Sequence, residues 1–215
     1  MKNNEKSAKI GKTFEAELPA GYAQVFHINA KDKKIGIIFN AVALVIMAVV
    51  VVLAAIPLFA FEVEFTESTS PMLLITYTVF FVSLIAYIVL HELVHGAAYK
   101  MLTGEKLTFG LSWSCAFCGV PTVFTYRKTA LIALAAPFLT FSVLLVPVAI
   151  ALFFVHPLLY IACATLFALH LGGCAGDLYM MILLLFKFKD KKLLMKDTGP
   201  EQFLYLPESE EQRDK

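Results

Sequence analysis

Charge is what this chain has least of. Asp, Glu, Lys and Arg together make up 16% of its 215 residues, against about 25% in an ordinary soluble domain. Ile35–Phe61, Pro71–Leu90 and Thr129–Val155 contain none of the four, and Pro157–Phe186 contains only Asp177. Neither sign is in excess. The formal net charge is +1, which removes any bulk electrostatic case for a nucleic-acid partner. Cysteine occurs four times. Cys163 and Cys174 lie in an apolar run and read as buried, inert thiols. Cys115 and Cys118 form one C-x-x-C with no second pair beside it. It reads as two small residues in a hairpin on the reducing side of a membrane, with a second metal or redox site as the lesser alternative.

What the chain does have is apolar surface. Hydrophobic residues make up 59% of it and the mean hydropathy is +0.75, far beyond the needs of one soluble core. The composition is that of a polytopic membrane protein. The first apolar run starts at Ile35, too late and too long for a secretory signal peptide. Four spans are expected, at about 35–61, 71–102, 129–155 and 157–186. Pro71 suits a first helical turn and Gly104 a stop. Pro137 and Pro147 are expected kinks in the third span.

Residues 1–34 are polar, with seven lysines and a short alternation (Tyr22, Gln24, Phe26, Ile28) that suits a strand or a surface-lying segment. Between spans two and three, Leu107–Trp113 alternates and Val120–Tyr126 is β-rich. Together they predict a β-hairpin with its turn near Ala116–Gly119. The 197–215 tail is polar and net acidic, with a short strand at Phe203–Leu206 and then disorder. The expected fold class is thus an all-α membrane protein of four transmembrane helices with a small cytoplasmic β-hairpin. Residues 1–34 form an N-terminal segment, 35–196 the membrane domain and 197–215 a tail.

Lys and Arg cluster before the first span, between the second and third, and after the fourth. The other two loops have none. The positive-inside rule puts both termini and the hairpin in the cytoplasm of a multi-pass cell-membrane protein.

The chemistry concentrates at Leu90–Ala98, L-HELVH-GAA. His91 and His95 are four apart in a helical run, so their imidazoles lie on one face, one turn above the other, and can share one Zn²⁺. Glu92 points about 100° away, off the coordination axis yet within reach of a water held there. Ser83, Tyr87, His91, His95 and Tyr99 form one i, i+4 ladder, a polar stripe that must face protein rather than lipid. The rival reading is two helix-end histidines at an interface.

A catalytic zinc usually has a third protein ligand. Spans two and four run in the same direction. Asp177 lies 20 residues after Pro157, as His91 lies 20 after Pro71, so both are about 30 Å along their helices. Asp177 is the expected third ligand, with Gly173 and Gly176 letting the helices approach. His170, Glu105 and solvent remain rivals. A satisfied core histidine is the other reading of His170. Either His170 or Tyr99 is a candidate to support the reacting oxyanion.

His91-Glu92-x-x-His95, a hairpin, a span carrying Gly176-Asp177, and then Asp197-Thr198-Gly199 resemble the bacterial membrane family DUF3267, the zincin-type peptidases. The resemblance covers roughly residues 71–199. It implies a membrane fold, a zinc site and peptide hydrolysis. The chain is also similar to the wider site-2 protease group, with a helix-borne H-E-x-x-H and an Asp from a later span. It departs in lacking that group's Asn-Pro…Asp-Gly motif, because Leu178 follows Asp177. The expected activity is zinc-dependent hydrolysis of a membrane protein or peptide near the cytoplasmic face, with Glu92 as general base. The alternative is a non-catalytic membrane scaffold or sensor with a structural metal.

Overall fold

The computed structural model describes residues 12–63, 70–112, 116–189 and 191–208. Helix α1 (Lys33–Ala60) starts at a cap: Asp32 Oδ1 accepts from the amides of Lys34 and Ile35 at 2.8 and 3.2 Å. Helix α2 (Ser70–Thr103) ends where Gly104 turns left-handed (φ +73°) and the Lys100 ammonium donates to the Gly104 carbonyl at 2.7 Å. Helix α3 (Arg127–Phe153) includes both Pro137 and Pro147. Helix α4 (Pro157–Gly173) begins after His156, whose Nδ1 accepts from the Leu158 amide, with proline in the first turn. Helix α5 (Ala175–Ile182) follows, continued by a π-helical turn at Leu183–Lys187.

Three of these, α1, α2 and α3, are long and apolar enough to cross a membrane. Their exposure is compatible with a lipid surround. The most apolar stretch of α1 buries nothing, and Phe59 is 80% exposed. A helix that is apolar all round and exposed belongs in lipid. The expected fourth span is not one straight helix. It breaks at Cys174, where α4 and the following helix meet at 43°.

The chain divides into two compact units. One comprises Ile37–His91 and Pro137–Asp177, and its interior mixes small and aliphatic side chains with the buried Tyr87, His91, Phe141 and His170. Along α2, Tyr87 and His91 are buried while Val89 and Leu90 are exposed, the inverse of a water-soluble helix. Phe141 packs on Tyr87 and His91, with ring centroids 5.0 and 6.3 Å away. The tight helix contact is at Gly172, where a Cβ would meet Met47 Cγ at 2.8 Å and the Ala43 carbonyl at 3.0 Å. At Gly173 and Gly176, the expected points of approach, the nearest atoms are at 3.6 and 3.8 Å, an ordinary contact.

The other unit comprises Met1–Gly36, Glu92–Ala136 and Leu178–Lys215. It corrects the all-α expectation, because it holds a five-stranded antiparallel sheet. The strands are β1 (Phe14–Glu15), β2 (Tyr22–Asn29), β5 (Phe124–Tyr126), β6 (Leu194–Asp197) and β7 (Glu201–Pro207), in the order β1-β5-β6-β7-β2. Leu204 and Leu206 alternate inward from β7 onto Leu134, Met180 and Leu184. The alternation at Tyr22–Ile28 is therefore a strand, paired with the chain's other end (Phe26 opposite Leu204).

A hairpin is present too, β3 (Thr108–Leu111) with β4 (Ala116–Gly119). Ala116–Gly119 is a strand rather than the expected turn, and Phe124–Tyr126 belongs to the large sheet. Gly119 has a packing reason to be glycine, since a Cβ there would lie 2.2 Å from the Gly199 backbone nitrogen. Trp113, Cys115 and the expected disorder at the C-terminal end lie outside the described residues.

Candidate metal centre

His91 and His95 sit on one unbroken helix, both 7% exposed, at the one-turn spacing that turns two imidazoles to one side. His91 Nε2 lies 3.5 Å from Asp177 Oδ2. That is long for a direct hydrogen bond. It fits two donors of one tetrahedral ion, since Zn–N and Zn–O bonds near 2.0–2.2 Å hold their donor atoms about 3.3–3.5 Å apart. His91 and Asp177 lie in one compact unit, and His95 follows His91 one turn further along α2. Asp177 reaches this position from the first turn of α5, just after the break at Cys174. Nitrogen and carboxylate oxygen donors of this kind suit zinc.

His95 is aligned from behind. Its Nδ1 lies 2.9 Å from the Ala133 carbonyl, which can only accept, so the proton is on Nδ1 and the Nε2 lone pair is left for a metal. Behind His91 lies a hydroxyl. Tyr87 Oη is 3.0 Å from His91 Nδ1 and 3.1 Å from His170 Nδ1. His170 is wholly buried, and its Nε2 meets Ser142 Oγ at 3.2 Å and the Phe138 carbonyl at 3.3 Å. A second donor group, His91, His170 and Cys174, also falls within 4.8 Å, all three residues buried.

Glu92 is half-buried. Burial pushes the Cys118 thiol of β4 up to about 12, helped by the charges of Glu92 and then Asp197. Cys118 therefore stays a thiol, a poor metal ligand and nucleophile. The Tyr99 hydroxyl donates to Asp197 Oδ2 at 2.7 Å. Asp197 also accepts from the Gly199 amide at 2.9 Å. Glu105 lies past the end of α2, within 3.4 Å of the Thr122 hydroxyl.

Sequence reasoning singled out His91, Glu92, His95 and Asp177, and the structure brings His91 and Asp177 together. It missed Tyr87 as the partner of His91, although Tyr87 stood one step away on the ladder. It also missed Asp197 as the acceptor for Tyr99.

Two histidines four apart on a helix, with a glutamate after the first, define the zincin class of metal site. The chain belongs to the DUF3267 family, described as "Putative zincin peptidase", whose model matches residues 83–192, just over half of the 215. The match takes in Tyr87, the H-E-x-x-H residues, His170 and Asp177, and stops short of Asp197–Gly199. No curated protein and no solved structure matches the chain.

Proposed function

We propose that this chain is a zinc-dependent membrane metallopeptidase. Zinc would be held by His91, His95 and Asp177. The observation that carries the reading is the 3.5 Å separation of His91 Nε2 and Asp177 Oδ2 beside a second helix-borne imidazole. Zinc bound there polarises a peptide carbonyl and acidifies water. The remaining chemistry belongs to the chain. Glu92 takes the proton of the attacking water and passes it to the departing amine. His95, held by the Ala133 carbonyl, keeps its ring fixed throughout.

The substrate on this reading is a membrane protein or membrane-bound peptide, extended at the scissile bond. Strand β5 is flanked on both sides by β1 and β6 and has no edge to offer. Among the described residues β3 and β4 pair only with each other, and β4 packs at Gly119 against the Gly199 backbone, which favours β3 as the strand on which an extended peptide would lie. Lys and Arg placement favours four crossings, with the bent α4–α5 pair as the fourth. Both termini and the bond cleaved are then on the cytoplasmic side.

The fully buried group His91, His170 and Cys174 favours a second reading, a closed structural or sensory metal in a non-catalytic scaffold. Glu92→Gln separates the two. In a peptidase it keeps one zinc per chain and the fold but lowers cleavage by about 10²–10⁴-fold, so an uncleaved membrane substrate accumulates. In a scaffold, Cys174→Ala loses the zinc and Glu92→Gln leaves the membrane-protein cleavage profile unchanged.

A further inference from the structure

His170 and Tyr87 have no step assigned above, yet they are among the most completely buried polar side chains in the helical unit. Their hydrogen bonds form one directed chain. His170 Nε2 faces the Phe138 carbonyl at 3.3 Å and the Ser142 hydroxyl at 3.2 Å. The carbonyl only accepts and the hydroxyl can do either, so a proton on Nε2 is the one arrangement that satisfies both contacts, and it leaves Nδ1 an acceptor. Nδ1 faces the Tyr87 hydroxyl, which therefore donates to it. A phenol has one proton, so the same oxygen must accept from its other neighbour, His91 Nδ1. His91 is then protonated on Nδ1 and presents a bare Nε2 towards Asp177.

Without this chain the opposite tautomer is favoured. A carboxylate facing Nε2 draws the ring proton to Nε2, and a protonated Nε2 cannot ligate. For His95 the Ala133 carbonyl settles the question directly. For His91 the Phe138 carbonyl settles it at one remove, through His170 and Tyr87.

We infer that His170, acting through the Tyr87 hydroxyl, fixes the proton of His91 on Nδ1 and so keeps Nε2 available for the metal. His170 is a positioning residue, not a ligand. This rests on the metal reading of His91, His95 and Asp177 given above.

The test measures zinc affinity of the purified full-length chain at one fixed pH, by competition with a chelator. Tyr87→Phe and His170→Leu should each weaken zinc by about 10–100-fold. The double variant should be no weaker than the worse single, because both cut one chain. His170→Asn, which returns an acceptor oxygen near the Nδ1 position, should recover most of the loss, and Cys174→Ala should leave affinity unchanged. In the zinc-free protein the imidazole ¹⁵N spectrum should show His91 as the Nδ1–H form, moving to Nε2–H in Tyr87→Phe. Wild-type affinity in Tyr87→Phe overturns the proposal. So does loss of zinc in both His170→Asn and Cys174→Ala, which would make His170 a ligand. Unchanged affinity in His91→Ala would instead overturn the metal reading, leaving the ¹⁵N spectrum to judge the tautomer by itself.

Discussion

Asp197 shows how one residue can link distant segments. Its carboxylate accepts from Tyr99 on α2 and from the Gly199 amide of its own turn, and its backbone carbonyl accepts from Val120. Removing the side chain in Asp197→Ala takes an acceptor from the buried Tyr99 hydroxyl and the half-buried Gly199 amide, which should cost about 1–3 kcal/mol in thermal unfolding. Burial pushes Asp197 up to about 6 from an ordinary 3.8, against the lowering pull of Tyr99 and Gly199. Between about pH 4 and 6 the folded chain therefore holds a proton that the unfolded chain releases, and stability falls as pH rises through that window. Asp197→Asn should flatten this slope, read from melting temperatures at the two ends of the window. An unchanged slope would assign it to another group. At this scale the sequence was legible where chemistry repeats at helical spacing, as in His91, Glu92 and His95. Asp177 stood out as the only carboxylate in an apolar run. Asp197 did not stand out, because its partner Tyr99 is 98 residues away and no local pattern records such a pair.

Helices and strands were unequally legible for a physical reason. Twenty or more apolar residues identify a membrane-crossing helix without any partner, so α1, α2 and α3 stand close to their expected bounds. A strand of two to eight residues gains its stability from a neighbour, and the neighbours of β2 and β5 come from the far end of the chain. Gly119 suggested a turn, yet it is glycine because the Gly199 backbone occupies the space of its Cβ. The break at Cys174 was signalled only by the glycines around it. Glycine contacts give a paired prediction. Gly172→Ala drives a Cβ against the Ala43 carbonyl, which cannot swing aside as the Met47 side chain can. It should cost about 1–3 kcal/mol. Gly173→Ala meets nothing closer than 3.6 Å and should be neutral or slightly stabilising. Equal melting temperatures for the two variants would remove Gly172 as the contact between α4 and α1.

For the whole molecule the testable quantity is orientation. A reporter fused after Lys215 should read cytoplasmic, and one inserted at Thr66 external, because the lysine-rich segments flank one side of every apolar run. The same side for both would mean an even number of crossings after Thr66, as when the bent α4–α5 pair re-enters rather than crosses. It would also remove the cytoplasmic placement of the bond cleaved.

Helix α1 has 28 residues, about 42 Å of helix, for a hydrocarbon layer of about 30 Å. Its most apolar stretch is unburied within the chain, so both the surrounding lipid and its contacts with neighbouring helices bear on its lean. Its tight contact is with Gly172, two residues from His170. A change in that lean would be felt first at Gly172, beside the segment that carries His170. Zinc affinity should vary with the acyl-chain length of the surrounding bilayer and peak where thickness and lean agree. The same affinity in 14-, 18- and 22-carbon lipids would make α1 an inert tether; a peak would make the metal site responsive to the membrane around it, each ångström of mismatch costing a fraction of a kcal/mol.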